Sequence, residues 1–224
     1  MHALAASTAL SLLASATARA AGFSQADASG AVRAALERGA DLAVKQLGQA
    51  DGFMGNDKIR IPLPDVLEKA APLLRTLGRG RQMDELISAM NHAAENAVSL
   101  ALPLLRSAIK SMSVQDARQI VSGGEHAVTD FFAAKTRAPL SVQFSPLVDK
   151  AVANLSLAQR YNELTSRASG MGLLQGNNAA TVQQHVTSKA LDGLYFVIGE
   201  EERRIRNDPV GTGSALLKKV FSSL

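Results

Sequence analysis

The sequence predicts an all-α fold: a single-domain, multi-helix bundle of about eight helices, with one long kinked helix and one ordered Gly/Pro-rich loop. Three observations carry this. Apolar residues recur in steps of three and four along most of the chain, which lines them up on one side of successive helices. Strand signals are nearly absent; Leu194-Tyr-Phe-Val-Ile198 is β-prone in isolation, but its helical flanks make it a buried helix face. No repeat of fixed period is visible, which speaks against a solenoid.

Of 224 residues, 46% are hydrophobic and 20% charged, a balance sufficient for one core without staples. There is no Cys, which excludes a disulfide scaffold, a thiol nucleophile and any Cys-ligated metal site. The net charge of +4 is spread as mixed pairs and stacking aromatics are scarce, with two Tyr and no Trp, so nucleic acid is not expected as a partner. Residues 1–20, MHALAASTALSLLASATARA, contain no acid and end in Ala18-Arg19-Ala20, the small-x-small pattern cut by signal peptidase. We therefore expect a signal peptide over 1–20, a single helical domain over 21–224, and a periplasmic or secreted product without a lipoprotein cysteine. No later stretch reaches the roughly 18 apolar residues needed to span a bilayer, so no transmembrane anchor is expected.

The first helix spans 27–47, with Ala31, Val32, Ala35, Leu36, Leu42 and Leu47 on one side and Asp27 or Ser29 available as its cap. GQADGFMGNDKIRIPLP follows as an ordered loop, because Pro62 and Pro64 forbid a continuing helix while Phe53, Met54, Ile59 and Ile61 must pack onto the body. Helix resumes from Leu63 to Leu77 and stops at Gly78. One apolar stripe then runs from Met83 to Met112, with Pro103 kinking or breaking it near Ser99 to Leu102. Ser113 and Asp116 read as a capping box that starts another helix, ended by Gly123 and Gly124. HAVTDFFAAKT forms a further short helix; one or two more fill 141–168, interrupted near 155–157, and SGMGLLQGNNAAT is a loop. A long helix over 180–206 is reinforced by Glu200 with Arg204 and Glu202 with Arg206, and an amphipathic tail from Ala215 to Phe221 closes the chain.

Four blocks, QLGQADGFMGNDKIRIPLP, MNHAAENAV, SGGEHAVTDFF and VTSKALDGLYFVIGEEERRIRNDP, occur in this order over nearly the whole chain. Together they resemble the exported bacterial proteins grouped as DUF4197. The resemblance implies an exported, mainly helical, single-domain protein and brings no catalytic assignments.

The residues offer few chemical motifs. There is no GxSxG elbow, P-loop or HExxH, and Gly170-Met-Gly172-Leu-Leu-Gln-Gly176 misses a dinucleotide fingerprint by one position. No metal or other cofactor is implied. His126 and Asp130 share a face at i and i+4, and with Glu201 they form a candidate polar cluster. His92 with Glu95, the turn formers Asp51, Asn56 and Asp57, and the GRGR run at 78–81 are weaker signals. Two readings follow. In the first, the protein is a non-catalytic binder of a lipid-like, apolar or amphipathic small molecule, or of an envelope protein. Its loops at 51–64 and 169–180 then act as rim or lid, with Phe53, Met54, Asn56, Ile61, Met171 and Leu174 as candidate ligand contacts. In the second, it is a periplasmic enzyme using His126, Asp130 and Glu201.

Overall fold

A computed structural model describes residues 22–170 and 181–224, which form nine helices and, among the described residues, no strand. The expected signal peptide, and Met171 and Leu174, lie outside the described residues.

Helix α1 (Gln25–Leu47) packs along α8 (Val182–Asn207), and this pair is the spine of the fold. A glycine lets them approach: a Cβ on Gly39 would stand 3.2 Å from the Ile198 Cα, so any larger residue would push the backbones apart. On the other side of α8 lies α6 (Ala127–Asn154), which also supports α3 (Gly80–Val98) and α4 (Leu102–Ser111). Helices α2 (Asp65–Thr76) and α7 (Leu157–Gly170) cover α3, while the short α5 (Ala117–Val121) and α9 (Ala215–Phe221) close against α1. Phe53, Phe132, Phe144, Leu36, Met83 and Met90 are fully enclosed in one continuous core. Each such side chain stabilises the fold by about 1.5–3 kcal/mol relative to leaving it in water.

Several local expectations change. Helix α1 starts two residues earlier, because Ser24 is its cap and Asp27 completes a capping box as the third helical residue. The predicted break before Pro103 is complete: residues 99–101 separate α3 from α4. Ser113 caps nothing, and Met112 to Asp116 lie outside any helix. Side chains of α1 take the carbonyls of this stretch, which competes successfully with helix formation. The short helix expected at HAVTDFFAAKT continues through Pro139 and Pro146 to Asn154 as one element. Packing against α3, α4 and α8 outweighs the backbone bonds these prolines remove. On α8, Glu202 does pair with Arg206, but Arg204 pairs with Glu201 and Glu200 with Arg203.

Candidate functional site

The loop singled out by its apolar residues turns inward. Phe53 and Ile61 are each 0% exposed, and Met54 and Asn56 are half-buried. The Phe53 ring lies against α8, where a Cβ on Gly193 would meet its Cε1 at 2.6 Å; only glycine admits the ring. Asp51 adopts φ 59°, the left-handed turn conformation that Asp tolerates, and Asn56 Oδ1 accepts the Lys58 N–H. From α3, the buried Glu95 carboxylate accepts the Phe53 N–H at 3.1 Å and the Met54 N–H at 3.4 Å. Asn91, also buried, accepts the Ile61 N–H and donates to the Ile61 carbonyl. His185 of α8 bonds the Pro62 carbonyl at 3.0 Å. Its burial, with help from Lys189, pulls the imidazole below the usual histidine range, against the Pro62 carbonyl and Asp65, which favour the cation. Phe53 and Ile61 thus seal the core, and they are not a rim.

The titratable candidates also separate. His126, the residue before α6, places Nδ1 3.1 Å from the Gly199 carbonyl of α8. Asp130 is exposed; its backbone N–H donates to the His126 carbonyl at 2.8 Å, and no side-chain hydrogen bond joins the two among the described residues. Glu201 is buried and bonded to Arg38 of α1 and Arg204 of its own helix. Its neighbour Glu202 does the more consequential work: the carboxylate accepts the Val128 and Thr129 N–H groups and the Thr129 hydroxyl at 2.8–3.0 Å. A side chain of α8 therefore supplies the N-terminal cap that α6 lacks locally. Among the described residues, no group of three or more His, Asp or Glu side chains could hold a metal ion.

These contacts explain why the four sequence blocks are spaced as they are. The first block docks on the second through Glu95 and Asn91, on the fourth through Gly193 and on His185 just before it, and the third docks on the fourth through Glu202 and Gly199. They are mutual struts.

An opening lies elsewhere, between α4, the stretch 112–116 and α6. It is a groove of about 380 Å³, within the size range of small-molecule sites. Met112, Phe131 and Leu140 give it an apolar floor, and Ser107, Ser111, Lys135 and Asp116 stand on its exposed rim. Thr136 on the same floor hydrogen-bonds the Tyr195 phenol, whose ionisation burial pushes up, so this hydroxyl pair is neutral. Pro139 and Lys135, one turn apart, both line the groove, and since Pro139 has no N–H, the Lys135 carbonyl loses its usual helical donor there. Lys135, Phe131 and Met112 were not legible as site residues, because each has the spacing of an ordinary helix residue. The irregular residue beside them is Pro139, which stands inside α6.

The family model described as a protein of unknown function, DUF4197, matches residues 22–222, and the chain belongs to that family. Neither the curated proteins nor the solved structures include a match to this chain.

Proposed function

We propose that this DUF4197 member is an exported, non-catalytic binding protein that takes a small amphipathic molecule in the groove between α4 and α6. The observation that carries the reading is the groove itself, an apolar floor of Met112, Phe131 and Leu140 under a polar rim. The leader-like residues 1–20 support export, and the family match begins just after them, at residue 22. Among the described residues no helix is long and apolar enough to cross a membrane. The ligand contacts expected at Phe53 and Ile61 move to α4 and α6, since both residues are enclosed.

The chain contains no Trp, so Phe131→Trp places a single tryptophan at the groove, which can be excited apart from the two tyrosines. Titration with decanol and with decanoate should shift its emission to shorter wavelength, saturably and at one molecule per chain. Native mass spectrometry of the wild-type protein isolated from its own envelope should show a small bound adduct. A flat titration with both amphiphiles would overturn the reading.

A further inference from the structure

Backbone geometry indicates which head group the groove takes. Three side chains on one stripe of α1, spaced four residues apart, donate to three carbonyls of the groove wall. Gln25 bonds the Gln115 carbonyl, Ser29 the Val114 carbonyl at 3.1 Å, and Arg33 the Met112 carbonyl at 2.9 Å. There are no cis peptides in the described chain, and in a trans peptide the N–H points opposite to the C=O. The N–H groups of the same three peptide units, those of Ser113, Gln115 and Asp116, therefore point away from α1. Ser113, Gln115 and Asp116 all line the groove, whereas Val114, whose side chain is buried, does not. Among the described residues none of these three N–H groups has a hydrogen-bond partner within the protein. From α6, Lys135 lines the groove with its ammonium 5.9 Å from the centre of the Phe131 ring, and Ser111 and Ser113 line it as well.

A row of unpaired backbone donors facing a cation over an apolar floor is chemistry for an anion carried on an apolar chain. We propose that the groove binds monoanionic amphiphiles, a medium-chain carboxylate lying with its chain on Met112, Phe131 and Leu140 and its head between the Ser113–Asp116 amides and Lys135. The proposal rests on the groove being the binding site and adds the charge of its ligand. Two groups on the rim oppose negative charge, the Asp116 carboxylate and the Lys135 carbonyl. Their presence fits a single negative charge and disfavours a dianion.

The test compares ligands of equal chain length by calorimetry and by amide NMR on the full chain. Decanoate should bind at least about tenfold more tightly than decanol, and decyltrimethylammonium more weakly than either. Decanoate, and not decanol, should move the amide signals of Ser113, Gln115 and Asp116. Lys135→Met should weaken decanoate binding about three- to tenfold, and Asp116→Asn should strengthen it about two- to fivefold, with decanol affinity unchanged in both. Equal binding of acid, alcohol and ammonium would overturn the charge assignment and leave the groove reading standing. Binding of none would overturn both. Binding of acetate as tightly as decanoate would show an anion site without use of the apolar floor, and would also overturn the proposal.

Discussion

Two non-helical connectors in this molecule have opposite fates. The loop 48–64 is rich in Gly, Asn, Asp and Pro, yet between Gly52 and Ile61 every backbone N–H except that of Asp57 finds a partner. The stretch 112–116 is shorter and looks like the start of a helix, and it is held along one edge only. The first connector is sealed by two buried polar residues of α3 and a ring seated on Gly193. The second is pinned from behind by α1 and keeps its other edge for something outside the chain. Apolar content alone would have ranked them the other way. What separates them is where the backbone donors end.

The sealed side depends most on Phe53. Phe53→Ala empties a site with 0% exposure and should cost about 3–5 kcal/mol in urea unfolding, whereas Gln115→Ala in the groove wall should stay within about 0.5 kcal/mol. Comparable losses at both positions would remove the distinction. Glu95→Ala comes next. It leaves the Phe53 and Met54 N–H groups without their acceptor, at about 1–3 kcal/mol for each that stays buried, and Glu95→Gln should recover much of the loss by restoring an oxygen. Failure of Gln to rescue would mean that the carboxylate charge, and not its acceptor geometry, holds the loop.

A smaller effect is expected on the open side. Arg33→Met removes one donor to the wall and should cost about 0.5–1.5 kcal/mol. Its clearer signature is in hydrogen exchange. In the wild type, the amides of Phe53 and Ile61 should exchange slowly and those of Ser113, Gln115 and Asp116 quickly, with decanoate slowing the second set alone. Arg33→Met should weaken decanoate binding together with the loss of wall order. Slow exchange at all five amides in the absence of ligand would mean that the wall is closed on both edges.

The contrast also shows what a sequence can and cannot reveal. The long helices were legible because Met83, Leu86, Met90, Ala94 and Val98 repeat at helical spacing, and all are buried as that spacing requires. The turn around Asp51 and the inward Phe53 were legible from glycine, asparagine and aspartate placed among apolar residues. Glu95 and Glu202 were not: each has a basic residue three or four positions away, His92 or Arg206, and so reads as half of an ordinary surface pair. Only the fold brings the loop 53–54 and the start of α6 over these carboxylates. The groove was hidden for a related reason. Ser113 and Asp116 satisfy a local capping rule, and nothing near them in sequence announces that Gln25, Ser29 and Arg33 will take their neighbours' carbonyls.

Whether the sealed loop tolerates charge is decided at His185, with a modest change in stability. His185 holds the Pro62 carbonyl, and burial keeps its imidazole below the usual histidine value of about 6.5. The unfolded chain, with the ordinary value, then takes up a proton before the folded one does. Stability from the neutral ring is fully present above about pH 6.5 and is lost as pH falls through the window between the unfolded and folded values. His185→Gln keeps an N–H donor and removes the titration. Between pH 7.5 and 5.5 its urea midpoint should fall less than that of the wild type, while decanoate affinity at the distant groove changes equally little in both. Parallel midpoints in the two proteins would show that the imidazole is hydrated where it meets Pro62. The end of the loop would then be open to water, as the wall of the groove is.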